Sequence, residues 1–338
     1  MKVLMQARPD LLKIPAGDTI QILKTKKALN ESGVEVDLNL TLNPDLEDYQ
    51  LVHCFNILRI KETYTQVVNA LQQQRRVLLT PIYWNMREHL QKNIPDKLEW
   101  WDNGKEKREK VLDMVDLLLP NAKSEMVQIK TDFKFNTPHQ VVYNGVDSSF
   151  YESRPDHFIK EYGIKDFVLC VGRICPRKNQ LTMIRALKDT DIKMVFIGSI
   201  NDPVYYRQCV KEGGDQILMI RHLPHHRLSS AYAAAKVHML ASWYDTPGLV
   251  NLEAGLSGCN LVVSNRGTAR EYFNDLVWYC SPDDPQSIAT AVKEAYLSPQ
   301  IDDLKSRILR NFTWEAIGKA TQEIYCKVLN SRYLSRVI

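Results

Sequence analysis

Short apolar runs alternate with amphipathic stretches along almost the whole chain, and halfway along the alternation starts again. Lys2–Met5, Glu35–Leu38, Leu51–Cys54, Val77–Thr80, Leu117–Pro120 and Gln140–Tyr143 read as strands in the first half. Thr19–Glu31, residues 62–74 and residues 123–133 read as helices between them; the first stops at Ser32-Gly33, a good helix terminator. In the second half the strands are Phe167–Val171, Met194–Ile197, Ile217–Ile220, Val237–Leu240 and Asn260–Ser264. Helical patterns follow them at Gln180–Lys188, Tyr205–Glu212, Leu228–Ala235, Val250–Ser257, Gln286–Leu297 and Ile301–Asn311. Strands separated by helices cannot form hairpins, so the expectation is α/β, with two consecutive doubly wound parallel sheets.

At 338 residues the chain is long enough for two domains. Gly145, Ser148, Ser149, Ser153, Pro155 and Gly163 place the boundary within 145–166. The expected division is 1–150 and 151–313. A last helical stretch, Trp314–Leu334 within residues 314–338, comes too late to extend the second sheet and is expected to pack back on the first domain.

Composition narrows the function classes. A hydrophobic content of 44% excludes a disordered chain. Lys plus Arg exceeds Asp plus Glu by four, and residues 1–150 are charge-balanced, so the excess lies in the second half. That is too little to demand nucleic acid, though it suits an anionic ligand. Seven scattered cysteines without a CxxC pair read as reduced thiols. No apolar run approaches the ~18 residues of a membrane span, and Gln6 and Arg8 interrupt any leader-like start. A cytoplasmic protein is expected. The charge run Asp102–Lys110 reads as a solvated helix or loop face, or else as a contact with an anionic partner.

Two segments carry chemistry. In Ser242-Trp-Tyr-Asp-Thr-Pro-Gly-Leu-Val-Asn-Leu-Glu253, a strand runs into a Pro247-Gly248 turn and a helix begins near Leu249-Val250. Free N–H groups at Gly248, Leu249 and Val250 and the helix dipole favour an anion there. Asp245 and Glu253 flank that site; carboxylates repel a phosphate but accept well from sugar hydroxyls. A plain strand–turn–helix with Asp245 capping the turn is the alternative. In Val168-Leu-Cys-Val-Gly172-Arg173-Ile-Cys-Pro-Arg-Lys178-Asn179, a strand ends at a glycine and cations follow. Arg173 and Lys178 suit a diphosphate approached from two sides; a basic surface loop is the alternative.

Together these residues resemble the retaining glycosyltransferase family 4, the group 1 transferases. Its members carry G-R-x4-K and, further on, E-x7-E, whose glutamate positions are Asp245 and Glu253 here. Asn144-Gly-Val-Asp147, Gly198 and the Gly267-to-Glu271 segment resemble further elements of the family. The resemblance implies a GT-B fold, two Rossmann-like domains facing across a cleft, with donor on the C-terminal and acceptor on the N-terminal domain. It implies a UDP- or GDP-linked sugar donor, no cofactor and no essential metal. Carried over position by position, Arg173, Lys178 and Asp245 are the expected catalytic set, with Asp245 on the sugar. Gly17, Gly172, Gly198, Leu223, Gly248, Leu249, Val250, Glu253 and Glu271 are the expected donor-binding residues. Glu253 is assigned to the ribose, Glu271 to support of the loop and the Arg221–Pro224 loop to the base. Tyr83, Trp84 and Asn85 follow a strand and suit a sugar acceptor, or else the core.

The chain departs from the family at three places. Asp replaces Glu at 245, Asn179 stands where glycine follows the lysine, and His222 stands where glycine is common. His222, His225 and His226 lack a matching carboxylate or cysteine at ligand spacing and read as a surface loop rather than a metal site; His53 and His89 read as core histidines. The expected activity is hexosyl transfer, with a non-catalytic GT-B binding subunit or a GT-B sugar-nucleotide epimerase or phosphorylase as the alternative, and the expected setting is bacterial surface polysaccharide or lipopolysaccharide assembly. The expected acceptor is a glycan or lipid-linked glycan, without nucleic acid. Peripheral contact with the inner membrane face and a monomer or weak dimer are expected.

Overall fold

A computed structural model describes residues 1–330 of the chain. It divides into two compact units. One comprises Met1–Gly145 with the helix Trp314–Asn330, and the other is Val146–Thr313. The crossing therefore falls at the start of the breaker-rich segment. The rest of that segment is structured within the second unit, as a 3-10 turn at Ser148–Glu152 and a helix at Asp156–Tyr162.

The first unit holds five strands: β1 (Lys2–Gln6), β2 (Glu35–Asn39), β3 (Leu51–Phe55), β4 (Arg76–Thr80) and β5 (Leu117–Leu118). The sheet order is β2-β1-β3-β4-β5, all parallel. Leu51–Phe55 is buried at every position, as a central strand covered on both faces must be. Gln140–Tyr143 forms no strand; its neighbourhood contributes only a bridge between Leu118 and His139. Leu118 N donates to Pro138 O, Gln140 N to Leu118 O and Val142 N to Pro120 O, each at 2.9 Å, so the run is hydrogen-bonded alongside β5 although it is not a regular strand.

The second unit holds β6 (Phe167–Val171), β7 (Met194–Ile197), β8 (Ile217–Ile220), β9 (Ala235–Leu240), β10 (Asn260–Ser264) and β11 (Trp278–Cys280). Their order is β11-β10-β9-β6-β7-β8, again all parallel. The short β11 escaped the sequence reading because three residues carry too little periodicity. Each sheet has one point where the order reverses direction: between β1 and β3, and between β6 and β9. Open α/β sheets bind ligands in the crevice outside the strand ends at such a point.

Two further expectations changed. The helix expected at Thr19 starts at Gly17, with Ala16 as its N-terminal flanking residue and Thr19 Oγ1 accepting the Ala16 N–H at 3.0 Å. The charge run Asp102–Lys110 is largely helix Lys105–Met114, and not all of it is solvated. Lys105, Glu106 and Lys107 face water, but Arg108 is buried. Its guanidinium lies 3.8 Å from the Trp101 ring centroid and donates to Trp101 O and Ile57 O. The seven cysteines are free. The terminal helix packs on Gly17–Glu31, where a Cβ on Gly318 would sit 2.7 Å from the Cβ of Ala28. The part of the expected helix beyond Asn330 lies outside the described residues.

Candidate donor site at the second switch point

β6 ends at Gly172, and the chain passes through a 3-10 turn at Pro176–Lys178 to the helix Gln180–Leu187. Asn179 joins them with φ +65°, the left-handed region. Asparagine is the side chain that best tolerates this conformation after glycine, which explains physically why it can stand where the family has glycine. Its amide also works: Nδ2 donates to Ala241 O at 2.9 Å and Pro282 O at 2.7 Å, and Oδ1 accepts from Thr182 Oγ1. The loop after β6 is thereby tied to the end of β9.

The two loops beside the switch point are bound at further atoms. Trp243 N donates to Arg177 O at 3.0 Å, and the Arg177 guanidinium donates to Tyr244 O at 2.7 Å. Lys178 Nζ lies 2.8 Å from both oxygens of Asp245. Arg177 reaches Asp245 Oδ1 at 3.5 Å, and Ser242 Oγ donates to Oδ2. Both side chains of the ion pair are largely shielded, at 10% and 17% exposure. Burial pushes the Asp245 carboxyl up, but Lys178 and Arg177 outweigh it and hold it below the usual carboxylate range. Burial pushes the Lys178 ammonium down, and Asp245 offsets only part of that.

After a cis Thr246–Pro247 bond, Gly248 takes φ +81° and opens the helix Leu249–Leu256. A Cβ at Gly248 would sit 2.7 Å from Leu240 Cδ2, so both space and backbone require glycine there. The first turn carries no acidic side chain, which leaves the N–H groups of Gly248, Leu249 and Val250 at an unneutralised helix start. One helical turn further on, Glu253 is nearly buried, and its oxygens accept from Tyr232 Oη at 2.9 Å and face His225 Nε2 at 3.2 Å. Burial and the Glu253 charge push the Tyr232 phenol well up, so it stays a donor.

The remaining expected residues distribute as follows. Arg173 is half-buried beside Gly172, its carbonyl accepting from Gln180 Nε2 at 2.9 Å. Gly198 ends β7 against Gly172, where a Cβ would lie 2.0 Å from Gly172 O. Leu223 is buried in the loop after β8, whereas His222 is exposed. Glu271 lies on the short helix Ala269–Phe273, its carbonyl held by Arg307 at 3.0 Å. Gly17 opens its helix in the first unit, next to Asp18, whose carboxylate takes Arg8 and Asn56 Nδ2.

The aromatic platform expected at Tyr83 and Trp84 is corrected by packing. Tyr83 is 1% exposed, with Phe133 edge-on at 5.1 Å and Trp101 stacked at 6.2 Å. Its hydroxyl donates to Asp132, as does Asn85 Nδ2. Trp84 is 8% exposed. Tyr83 belongs to the first unit's core and Trp84 is largely buried, so the stretch is not an exposed stacking platform. Asn85 Oδ1 accepts the Arg87 N–H at the start of the next helix.

Sequence reasoning missed Arg177, Ser242, Tyr232 and His225. Arg177 sat beside the chosen cation and could have been found by counting cations on the turn. Ser242 lies in the same segment as its partner Asp245, whereas Tyr232 and His225 had no local signal, because their partner Glu253 comes from elsewhere in the chain. Among the described residues no group of three His, Cys, Asp or Glu side chains could hold a metal ion, and His225 turns to Glu253 instead.

Residues 154–311 match the family model described as glycosyl transferases group 1. That segment belongs to the group 1 glycosyl transferases. An uncharacterized glycosyltransferase of Methanocaldococcus jannaschii is 26% identical over 215 residues, 56% of this chain and 55% of that protein. The chain thus spans about half the length of the curated relative it matches. Among solved structures, a sucrose-phosphate synthase of Thermosynechococcus elongatus superposes with a TM-score of 0.82 at 16% identity, over 97% of this chain and 99% of that one. The Anabaena protein Alr3699/HepE, solved with UDP and glucose, has a TM-score of 0.75 at 16% identity, over 97% and 100%. The fold of this chain is that of the GT-B glycosyltransferases. Among the described residues no helix is long and apolar enough to cross a membrane.

Proposed function

We propose that the chain is a retaining glycosyltransferase. It moves a hexosyl group from a UDP- or GDP-linked sugar to a hydroxyl of a glycan or lipid-linked glycan, in surface polysaccharide or lipopolysaccharide assembly, and needs no metal ion. The observation that carries this reading is the placement of Lys178, Arg177 and an acid-free helix start on the crevice between β6 and β9. A nucleoside diphosphate leaving group develops negative charge as the glycosidic bond breaks. Fixed cations and N–H dipoles stabilise that charge without reorganisation. The Anabaena neighbour's UDP and glucose support the same ligand class.

The bond from the anomeric carbon to the phosphate oxygen breaks with its electron pair leaving on the diphosphate. The acceptor oxygen forms the new bond on the same face, and its proton passes to the departing phosphate. Glu253 accepts from the ribose hydroxyls, its carboxylate oriented by Tyr232 and His225. Leu223 lies on the loop that holds the base. Arg173, Gly172 and Gly198 shape the wall around the diphosphate, and Glu271 supports the site from its short helix.

A thermal-shift panel of UDP, GDP, ADP and their sugars, with and without Mg²⁺, tests the reading. Stabilisation by one nucleoside diphosphate and its sugar, independent of Mg²⁺, is expected. No stabilisation by any of them overturns the donor site, and a strict Mg²⁺ requirement overturns metal independence.

A further inference from the structure

Asp245 and Glu253 differ in how much acceptor capacity they have left. A carboxylate has two oxygens and about four lone-pair sites. At Asp245 each oxygen already meets two donors: Oδ1 meets Lys178 and Arg177, and Oδ2 meets Lys178 and Ser242. At Glu253 each oxygen is engaged once, by His225 or by Tyr232. Glu253 can take a hydroxyl as it stands, whereas Asp245 can take one only by giving up a donor.

The donor it can release is Lys178. Arg177 is also anchored on Tyr244 O, and Ser242 lies three residues away on the same turn. Gly267 packs close against the Asp245 backbone, where a Cβ would lie 2.4 Å from its carbonyl oxygen. Aspartate is one methylene shorter than glutamate, so its carboxylate cannot follow a lysine that swings to a new partner. A buried ammonium is strongly destabilised without a counter-charge, and so is a buried carboxylate. A diphosphate supplies the first counter-charge, while Arg177 remains to supply the second.

Resting on the donor-site reading above, we propose that Lys178 is exchanged between Asp245 and the donor diphosphate. Asp245 becomes an acceptor for a sugar hydroxyl only once the diphosphate has taken the lysine. In the resting protein Asp245 masks the cation; in the loaded protein the same carboxylate, uncapped, reads the sugar. Sugar recognition is then conditional on an intact diphosphate, and the ion pair lowers the affinity for the free nucleotide product.

Titration calorimetry of UDP and GDP, with UMP and GMP as controls, tests this on the wild-type chain, Asp245→Asn and Asp245→Glu. Thermal unfolding checks that each variant folds. Asp245→Asn removes the competing charge, and its diphosphate affinity is expected to rise about five- to tenfold, more than its monophosphate affinity. Asp245→Glu keeps the charge and lengthens the arm; a smaller rise in diphosphate affinity is expected. Turnover should fall in Asp245→Asn despite the tighter binding. A folded Asp245→Asn that binds diphosphate no tighter than wild type overturns the exchange. If that variant does not fold, an unchanged or weakened affinity in Asp245→Glu overturns it instead. A wild-type chain that binds neither diphosphate overturns the donor-site reading itself, and the exchange with it.

Discussion

The two switch points share a topology and are filled in opposite ways. Between β1 and β3, Arg8 is 7% exposed and its guanidinium donors go to Asp10, Asp18, Thr19 Oγ1 and Ile14 O. Arg59 adds a second cation on Asp10. Asp18 also stands in the first turn of Gly17–Glu31, where its carboxylate already answers the helix dipole. Between β6 and β9, the helix start at Leu249 has no such acid, and Lys178 is balanced by a carboxylate that the chain can re-pair. A switch point makes a crevice in both units, but in the second the helix has no acid in its own first turn and both cations share one carboxylate. Ligand chemistry follows the filling of the crevice rather than the topology alone.

Substituting the two central cations breaks this comparison most sharply. Lys178→Ala is expected to lower turnover by about 10²–10³, the scale of one lost transition-state donor. It should leave a folded protein, because Arg177 and Ser242 still face Asp245. Arg8→Ala leaves Asp18 nearly buried without its cation, while Asp10 keeps Arg59, and a stability loss of about 3 kcal/mol is expected. Rates and denaturant melts measured on both variants decide the matter. A silent Lys178→Ala, or an Arg8→Ala of wild-type stability, would erase the difference between the crevices.

Glycines sharpen it at the next level. Alanine at 198 would place its Cβ 2.0 Å from Gly172 O, backbone against backbone, so a loss of several kcal/mol is expected. Alanine at 17 meets nothing within 4 Å and lies at a helix start, so a gain of about 0.5–1 kcal/mol is expected. Thermal unfolding reads both. Turnover reads the expectation for Gly17, because a stabilised Gly17→Ala with unchanged turnover would remove it from the expected donor-binding residues.

Legibility in the sequence follows the same divide. The second unit was readable because its chemistry is packed into two continuous segments, Gly172–Asn179 and Ser242–Glu253, each built around a strand end. Its strands other than β11 were also long enough to show an apolar run. In the first unit Tyr83 and Trp84 follow β4 in the position of a ligand platform, and local sequence cannot say which way a ring points. Burial was decided by Trp101 and Phe133, residues distant along the chain. Arg108 misled for the same reason: a charge run is solvated on average, and one member found Trp101. The Asp245–Lys178 pair joins both readable segments, yet its two motif residues were expected to bind separate parts of a donor, not each other.

Tyr83→Ala tests that correction. It empties space beside Trp101 and Phe133 and removes a donor to Asp132, so a stability loss of about 3–5 kcal/mol is expected. Tyr83→Phe keeps the ring and loses only the hydroxyl, with about 1 kcal/mol expected. If Tyr83→Phe raises the acceptor KM while stability stays unchanged, the hydroxyl belongs to the acceptor site after all.

Under a change of pH the two units should behave alike. Each has a buried histidine on the strand across its switch point: His53 pairs in register with Met5, and His238 with Leu169. His53 lies between Tyr325 Oη and Thr80 Oγ1, and His238 Nε2 accepts the Val171 N–H. Burial lowers both from 6.5 to about 3. A lowered folded value means that the unfolded chain binds protons first, so stability is full above pH 6.5 and falls as pH drops toward 3. Each histidine should contribute about 1.4 kcal/mol per pH unit. Between pH 6 and pH 5 the ordinary carboxylates remain ionised and the histidines dominate. His139 is lowered by burial as well, so urea melts across that range should show a slope reduced in His53→Gln by about 1.4 kcal/mol per pH unit rather than abolished. An unchanged slope would mean that His53 is already charged in the folded unit, against its packing between a phenol and a threonine.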